Sequence, residues 1–340
     1  MSKEYSVAVV GATGLVGREM IEILEERGFP VKAFVPLASS RSAGEHVQFA
    51  GKDYVVRDSA APDAFDGVDI ALMSAGGGPS RELSPVAAKA GAVVIDNSSA
   101  WRMDPEVPLV VPEVNADAIG SFENKRIIAN PNCSTIQMVV ALKPLHERFR
   151  LKRVVVSTYQ AASGAGKSAM DELGEQVQAI FNVREPEVKA FPKRLAFNCL
   201  PHIDVFQEDG FTKEERKMIE ETRKIMSLPN LRVLSTCVRV PVFNGHAESV
   251  VAEFETAVSA EEARAVLQDG NGLVVIDNPA AGEYPTQLDA EGQDGTFVGR
   301  IRNDPDDPNT LAFWCVADNI RKGAATNAVQ IAEILVERYL

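Results

Sequence analysis

The sequence predicts an α/β protein, with a Rossmann-type dinucleotide-binding domain followed by a second domain of α+β type. In the first ~130 residues, short apolar runs of strand length alternate with helical patterns. A glycine-rich turn separates the first strand from the first helix, and the later chain is richer in strands. Because alternating strands and helices favour a parallel sheet with right-handed crossovers, we expect a doubly wound first domain. A chain of 340 residues can accommodate two domains.

The first domain begins with an apolar strand at residues 6–10 and the glycine-rich turn at 11–17. The helix that follows places Val16, Met20 and Ile23 at helical spacing. Further strands are predicted by the apolar runs at residues 31–35, 68–73 and 92–95. A helix is predicted near residues 85–90.

The second part of the chain combines helices with several strands. Helices are predicted at 135–149, 168–181 and 212–227, the last with Thr212 as its N-cap. Strands are predicted at 153–159, 233–242, 248–255, 296–301 and 311–316. The amphipathic pattern of residues 324–339 predicts a terminal helix.

Bulk properties exclude several classes of partner. The formal net charge of −13 offers nucleic acid no basic footprint. No apolar run approaches the ~20 residues that cross a membrane, and the N-terminal residues lack the pattern of a secretory signal. The four cysteines are scattered and have no zinc-ligand spacing, so we expect thiols in a reducing cytoplasm and no metal site.

The glycine-rich turn is a candidate pyrophosphate site. Gly11, Gly14 and Gly17 form the pattern Gly-x-x-Gly-x-x-Gly, which differs from the strict dinucleotide fingerprint. Such a turn lets backbone amides at a helix N-terminus approach an anion. A tight turn without a ligand is the alternative, but the strand before it and the helix after it favour cofactor binding.

The end of the second strand indicates which dinucleotide is bound. NAD sites usually place an acidic residue there for the ribose 2′-hydroxyl. Residues 37–44 contain no acid but do contain Ser39, Arg41 and Ser42. Hydroxyls and a guanidinium suit a 2′-phosphate, so we expect NADP rather than NAD. An ordinary serine-rich loop is the alternative.

Cys133 is the candidate nucleophile. It follows an Asn-Pro-Asn turn and precedes a predicted helix. At a helix N-terminus the macrodipole and unpaired N–H groups favour a thiolate and can hold an oxyanion. The other thiols, Cys199, Cys237 and Cys315, lie in apolar or strand-like segments, and we expect them to be structural.

A thiol nucleophile needs a proton acceptor, and the histidines are the natural candidates. His46 and His146 lie in a polar loop and a helix. His246 lies in a turn between two predicted strands, and catalytic residues are often found on such loops. His202 lies in an apolar segment. The residues alone favour His246 over His202 only modestly.

Six segments together resemble the aspartate-semialdehyde dehydrogenase family. They occur in the family's order across nearly the whole chain, at residues 11–17, 96–102, 130–135, 158–166, 239–241 and 318–324. The Pro-Asn-Cys-Ser-Thr and Tyr-Gln-Ala-x-Ser-Gly-Ala-Gly sequences are highly specific.

The resemblance implies a role for each site residue. Cys133 is the acyl-thioester nucleophile, His246 the general acid/base, and Gln160 positions the substrate. Arg239 binds the substrate α-carboxylate and Glu214 its amino group, while Arg102 and Lys217 hold phosphate. The implied NADP contacts are Gly11, Thr13, Gly14, Leu15, Val16, Ser39, Arg41, Ser42, Ser163, Gly164 and Asn319. Without the resemblance, Glu214 and Lys217 indicate a solvated charge pair, and Arg102 fits a surface salt bridge equally well.

The resemblance also implies the reaction and the domain boundaries. Residues 1–132 with 322–340 bind NADP, and residues 133–321 form the catalytic and dimerisation domain of a homodimer. The reaction is the reversible NADP-dependent reduction of 4-phospho-L-aspartate to L-aspartate 4-semialdehyde and phosphate, in lysine, threonine and methionine biosynthesis. One alternative is reduction of a related acyl phosphate such as N-acetyl-glutamyl phosphate. Another is a nonenzymatic NADP-binding sensor, against which the intact Cys133 and His246 argue.

Overall fold

The computed structural model of the protein describes residues 3–340, so residues 1 and 2 of the expected first domain lie outside the described residues. The chain divides into two compact units. The first comprises the residues up to Asn132 together with Ala324–Leu340, and the second comprises Cys133–Gly323.

The first unit alternates strands and helices. Its strands are β1 (Tyr5–Val10), β2 (Val31–Ala38), β3 (His46–Phe49), β4 (Lys52–Val55), β5 (Arg57–Asp58), β6 (Ile70–Met73), β7 (Val93–Asp96) and β8 (Ile127–Ala129). Its α-helices are α1 (Leu15–Glu26), α2 (Gly77–Lys89), α3 (Pro112–Asn115) and, from the end of the chain, α9 (Thr326–Arg338). A 3₁₀ segment spans Ala116–Asn124.

These strands form the parallel sheet that the sequence predicts. The order is β5-β2-β1-β6-β7-β8, and every pair in it is parallel. With the separate β3–β4 hairpin set aside, this is the 3-2-1-4-5-6 order of doubly wound dinucleotide-binding folds. The core contains the inward faces of α1 and α9, including Met20, Ile23, Val329 and Leu335. Ligands of such folds bind outside the carboxyl ends of the strands, where the glycine-rich turn follows β1.

The second unit is built around a mixed sheet. Its strands are β9 (Leu151–Gln160), β10 (Arg232–Arg239), β11 (His246–Phe254), β12 (Leu273–Val275), β13 (Thr296–Asn303) and β14 (Thr310–Ala317). Its α-helices are α4 (Cys133–Phe149), α5 (Lys167–Phe181), α6 (Lys213–Ile225), α7 (Ala260–Gln268) and α8 (Gln287–Ala290). Short 3₁₀ segments span Ala162–Ala165 and Pro279–Ala281.

The order of this sheet is β10-β9-β11-β14-β13-β12. The β9–β10 and β12–β13 pairs are parallel, and the three central pairs are antiparallel. Helix α4 contacts β9, β11, β13 and β14, while α6 packs on β10 and α7 on β12 and β13. Alternate side chains on the outer strands, such as Tyr159 and Leu234, are exposed on the opposite face. The fold class expected from the sequence is therefore confirmed.

Several local features differ from the sequence prediction. Helix α2 begins at Gly77, well before the predicted start, because glycines at its N-terminus hide the helical pattern. Helix α7 and the β3–β4 hairpin were not predicted. The terminal helix is preceded by a π-helical turn, Arg321–Ala325, and π-turns are often found at functional sites.

Residues 3–340 contain neither a membrane-spanning helix nor a cluster of metal ligands. None of the helices described there combines the length and apolar character needed to cross a bilayer. The same residues contain no group of three or more His, Cys, Asp or Glu side chains placed to hold a metal ion.

Candidate active site

Cys133 is the first residue of α4 and is partly buried. Its thiol therefore lies where the helix dipole and the first-turn amides favour negative charge. The π-helical turn packs directly against it, because a Cβ atom at Gly323 would come within 2.9 Å of the Cys133 Cβ. The backbone N–H of Gly323 donates to the Asp318 carbonyl at 2.9 Å, which holds this turn in place.

His246 begins β11 and is completely buried, rather than lying in the turn before the strand. The backbone N–H of Ala161 donates to its Nδ1 at 3.1 Å. Burial and then the Arg239 cation lower the pKa of His246 to about 3, against smaller raising effects of Glu214 and the Gly245 carbonyl. The imidazole is therefore neutral at physiological pH, and because Nδ1 accepts from Ala161, the ring proton lies on Nε2, the nitrogen beside Gly164.

Gln160 is the last residue of β9 and is almost fully buried. Its Nε2 donates to Glu214 Oε1 at 3.1 Å and lies 3.5 Å from His246 Nε2. Its Oε1 accepts from the Thr158 hydroxyl at 2.9 Å, which fixes the orientation of the amide. Gln160 thus links the imidazole to the carboxylate on α6.

Arg239 ends β10 and pairs in register with Gln160 across the parallel strands. One guanidinium nitrogen, Nη1, donates to the Ala161 carbonyl at 2.6 Å. A Cβ atom at Gly164 would meet Arg239 Nη1 at 2.9 Å and His246 Nε2 at 3.0 Å, so both side chains border one small space. Burial lowers the pKa of Arg239, while Glu214 and Cys133 raise it, which places Cys133 within electrostatic reach of the guanidinium.

Helix α6 brings a network of charges to this pocket. The Lys217 ammonium contacts Asp204 and Glu214, each at 2.9 Å. Although burial lowers the pKa of Lys217, these two carboxylates raise it further, so the lysine remains charged. The Thr212 and Glu215 capping box begins the helix, as predicted for Thr212. Asp204 was not identified from the sequence, because only the folded loop brings it to Lys217.

Ser163 and Asn319 form a second network in the same unit. The Asn319 Nδ2 donates to the Ser163 hydroxyl at 2.9 Å, and the N–H of Gly245 donates to Asn319 Oδ1 at 2.9 Å. Gly245 has φ of +81°, a conformation that favours glycine. Asn319 therefore also fixes the turn that precedes His246, a role that the sequence did not reveal.

The glycine-rich turn of the first unit has the close packing that a dinucleotide cradle requires. Gly11 has φ of +85°, and a Cβ atom there would lie 2.6 Å from the Ser74 carbonyl oxygen. A Cβ atom at Gly17 would lie 2.0 Å from the Gly11 oxygen. Gly14 is the N-cap of α1 and supplies no capping side chain, so the first-turn amides near Leu15 and Val16 suit a pyrophosphate.

Two further sets of predicted residues lie in the first unit. Ser39 and Arg41 are exposed in the turn after β2, where the Ser42 N–H donates to the Ser39 carbonyl at 2.9 Å. Arg102 is buried, and its guanidinium donates to the carbonyls of Asn130 and Asn97, both at 2.9 Å. Arg102 is therefore held rigidly by backbone, unlike an exposed salt bridge.

The remaining cysteines divide into two environments. Cys237 and Cys315 are buried, and burial raises the pKa of each thiol, consistent with a structural role. Cys199 is exposed, so its expected structural role is wrong. The apolar residues around it in the sequence do not enclose it, because Cys199 and its neighbours Asn198 and Pro201 are exposed while Leu200 alone turns into the core.

Comparison with known proteins identifies the family. Residues 6–122 match the semialdehyde dehydrogenase NAD binding domain, and residues 142–322 match the semialdehyde dehydrogenase dimerisation domain. The aspartate-semialdehyde dehydrogenase of Aquifex aeolicus is 59% identical over 337 residues, covering 99% of each chain. The chain belongs to the aspartate-semialdehyde dehydrogenase family.

Solved structures of aspartate-semialdehyde dehydrogenases agree with this placement. Aspartate semialdehyde dehydrogenase II of Vibrio cholerae, solved as a complex with ASA, is 49% identical with a TM-score of 0.96, and the match covers 100% of both chains. The Candida albicans aspartate-semialdehyde dehydrogenase, solved with NADP, is 26% identical with a TM-score of 0.78, covering 99% of this chain and 100% of that one. The resemblance inferred from the sequence motifs is confirmed.

Proposed function

We propose that the protein is an NADP-dependent oxidoreductase that interconverts 4-phospho-L-aspartate and L-aspartate 4-semialdehyde. Family membership supports the reaction class. The observation that carries the proposal is the pocket of the second unit, where His246, Gln160 and Arg239 lie around one small space and Cys133 is within electrostatic reach of Arg239. A helix-terminal thiol beside a neutral imidazole and a guanidinium suits covalent acyl transfer on an anionic substrate.

Substrate recognition follows from the charges of the pocket. The planar fork of Arg239 matches a carboxylate, and Glu214 matches an ammonium group. Gln160, hydrogen-bonded to Glu214, holds the acyl carbon near Cys133. When the α-carboxylate offsets the Arg239 charge, the pKa of His246 rises from its low value in the free enzyme, so substrate binding prepares the imidazole for proton transfer.

The covalent step takes place at Cys133. Its sulfur attacks the acyl carbon, a C–S bond forms, and the bond from carbon to the phosphate oxygen breaks. First-turn amides of α4 stabilise the tetrahedral oxyanion, and Lys217 offsets charge on the departing phosphate. Cys133 reacts as the thiolate that the helix N-terminus favours, and His246, with its ring proton on Nε2, acts as the general acid/base at the tetrahedral oxygen, donating that proton and taking it back.

NADPH supplies the hydride that reduces the thioester, chemistry that belongs to the cofactor. The glycine-rich turn would hold its pyrophosphate, and Thr13 lies in that turn. Ser39, Arg41 and Ser42 would bind the 2′-phosphate. The absence of an acidic residue in the 39–44 loop supports NADP over NAD.

We also propose a cytoplasmic homodimer that serves lysine, threonine and methionine biosynthesis. The match of residues 142–322 to a dimerisation domain supports self-association. The face of the second sheet opposite α4, where Tyr159 and Leu234 are exposed, would supply the apolar surface. Sedimentation that gave a monomer at micromolar concentration would contradict the dimer.

The test is an assay of the phosphorylating direction. L-aspartate 4-semialdehyde, phosphate and NADP should give NADPH at a rate that depends on all three, with a much lower kcat/KM for NAD. N-acetyl-glutamate semialdehyde, run in parallel, should give no measurable rate. Equal rates on both aldehydes, or NADPH formation that does not need phosphate, would overturn the proposed reaction.

A further inference from the structure

Glu248 is a buried acid to which the mechanism above gives no role. It lies two residues after His246 on β11 and has no exposed surface. Neither carboxyl oxygen has a hydrogen-bond partner within the described structure. Burial raises the pKa of Glu248 well above its ordinary value, so the side chain is a neutral acid in the folded protein.

The surroundings of Glu248 include one polar group on the helix above it. The Gln137 amide of α4 lies close enough to lower the pKa of the carboxyl, although neither amide atom has a hydrogen-bond partner in the described residues. The Gln137 backbone carbonyl accepts from the Cys315 thiol at 3.6 Å, which places Gln137 above this part of the sheet. On the two neighbouring strands, Cys315 and Thr158 pair with Glu248 in register. The Cys237 thiol on β10, one strand beyond β9, is within electrostatic reach of Glu248. The acid therefore lies among the Gln137 amide, Thr158 and Cys315, and no cation within residues 3–340 shifts its pKa.

The spacing of these residues relates the pair to the catalytic groups. Gln137 lies four residues, about one helical turn, after Cys133, so both project from the same side of α4. Glu248 lies two residues after His246, so both project from the same face of β11, and α4 packs on this strand. One turn of helix advances about 5.4 Å and two strand residues about 6.7 Å, so the two intervals nearly match.

We propose that Gln137 and Glu248 form a polar positioning pair that sets the register of α4 on β11 and thereby holds Cys133 beside His246. Gln137 and Glu248 lie at one level along α4 and β11, and Cys133 and His246 lie at the preceding level of the same two elements. The shared proximity of Cys133 and His246 to Arg239 fits this arrangement.

A gain in folding stability does not explain why Gln137 and Glu248 are found in the core. Buried polar atoms without direct partners cost free energy, and apolar side chains of similar size would pack at this position at no such cost. Polar pairs in otherwise apolar cores are known to specify register at the expense of stability. Glu248 and Gln137 are therefore positioning residues that act through α4, and they do not touch the substrate.

The inference rests on the proposed function, so its test combines turnover with a readout that needs no substrate. Glu248→Leu removes the polar group and keeps the volume, whereas Glu248→Gln keeps a neutral polar partner for Gln137. Val250→Ala is the matched control, because Val250 lies on the same buried face of β11, two residues after Glu248. Each variant is assayed for kcat and KM, for its urea midpoint, and for iodoacetamide modification of Cys133 across pH, followed by mass spectrometry.

We expect Glu248→Leu to lower kcat at least tenfold, with both KM values within about twofold and the urea midpoint unchanged or raised. Its pH midpoint for Cys133 alkylation should shift, because the thiol is no longer held beside the imidazole. Glu248→Gln should restore both readouts. Val250→Ala should lower the urea midpoint and leave kcat and alkylation unchanged.

Unchanged kcat and unchanged alkylation in Glu248→Leu would overturn the inference, as would equal losses in Glu248→Leu and Glu248→Gln. If the wild-type protein lacked activity on the semialdehyde but its alkylation profile still depended on Glu248, the proposed reaction would fail and the positioning pair would stand.

Discussion

At the scale of single residues, His246 gains most of its chemical character from its surroundings. Complete burial and the adjacent Arg239 hold its pKa near 3, whereas an unfolded histidine titrates near 6.5. Between these pH values His246 is protonated in the unfolded chain but not in the folded protein. Stability contributed by this residue is therefore present above pH 6.5 and is lost as the pH falls towards 3.

The difference in the pKa of His246 between folded and unfolded protein predicts how the stability of His246→Gln depends on pH. Wild-type protein should lose about 2 kcal/mol of unfolding free energy between pH 7 and 5 through His246 alone, by proton linkage. His246→Gln removes the titrating group, so its stability relative to wild type should improve by that amount over the same interval. Urea unfolding at both pH values and one protein concentration measures the difference, and a parallel decline of both proteins would contradict the low pKa.

Arg239 should control both substrate affinity and the imidazole. Arg239→Leu removes the fork and the charge, so the KM of the semialdehyde should rise about 10- to 100-fold, equivalent to ~1.5–3 kcal/mol. The pKa of His246 should rise at the same time, because a cation that disfavours its protonation is gone. NMR titration of the imidazole follows the second effect.

Arg239→Lys separates the two contributions. It keeps the positive charge but loses the bidentate geometry, so the KM should still rise while the pKa of His246 stays low. A raised histidine pKa in the lysine variant, or an unchanged KM in the leucine variant, would contradict the assignment of Arg239.

At the scale of secondary-structure elements, the π-helical turn acts as a support for the nucleophile. Gly323→Ala places a methyl group 2.9 Å from the Cys133 Cβ, and both atoms belong to backbone-fixed positions that cannot move aside cheaply. We expect a loss of ~1–3 kcal/mol in stability, as for other overpacked sites. The kcat should fall by at least tenfold, because the sulfur is displaced.

Gly174→Ala is the matched control for that variant. Gly174 lies inside α5 with nothing within 4 Å of the added methyl group, so alanine should stabilise the helix by ~0.5–1 kcal/mol and leave kcat unchanged. Urea unfolding and steady-state rates of both variants complete the comparison. Normal turnover by Gly323→Ala would show that the turn does not position Cys133.

At the scale of the whole molecule, periodic patterns predicted the architecture because they reflect local physics. Alternation of strand and helix, the glycine-rich turn and the Thr212 N-cap all depend on neighbouring residues, and each is present. Cys133 was recognisable for the same reason, since its helix-terminal position is encoded by the turn before it.

Other site features depend on contacts between distant segments, which composition and spacing do not encode. Gln160 and Arg239 meet through strand register, and Asp204 reaches Lys217 through an irregular loop. Spacing and composition alone favoured His246 over His202 only modestly; the family resemblance selected His246, and the fold buries it fully beside Arg239. The exposure of Cys199 was misjudged because its apolar neighbours in sequence do not surround it in the fold.

The central claim is that the acyl group is carried by the sulfur of Cys133, and direct trapping tests it best. The enzyme is mixed with L-aspartate 4-semialdehyde and NADP without phosphate, quenched in acid, digested and analysed by peptide mass spectrometry. We expect the aspartyl group on the Cys133 peptide, its loss when phosphate is added before quenching, and no label in Cys133→Ser. An acyl group on another residue, or normal turnover by Cys133→Ala, would contradict the thioester mechanism.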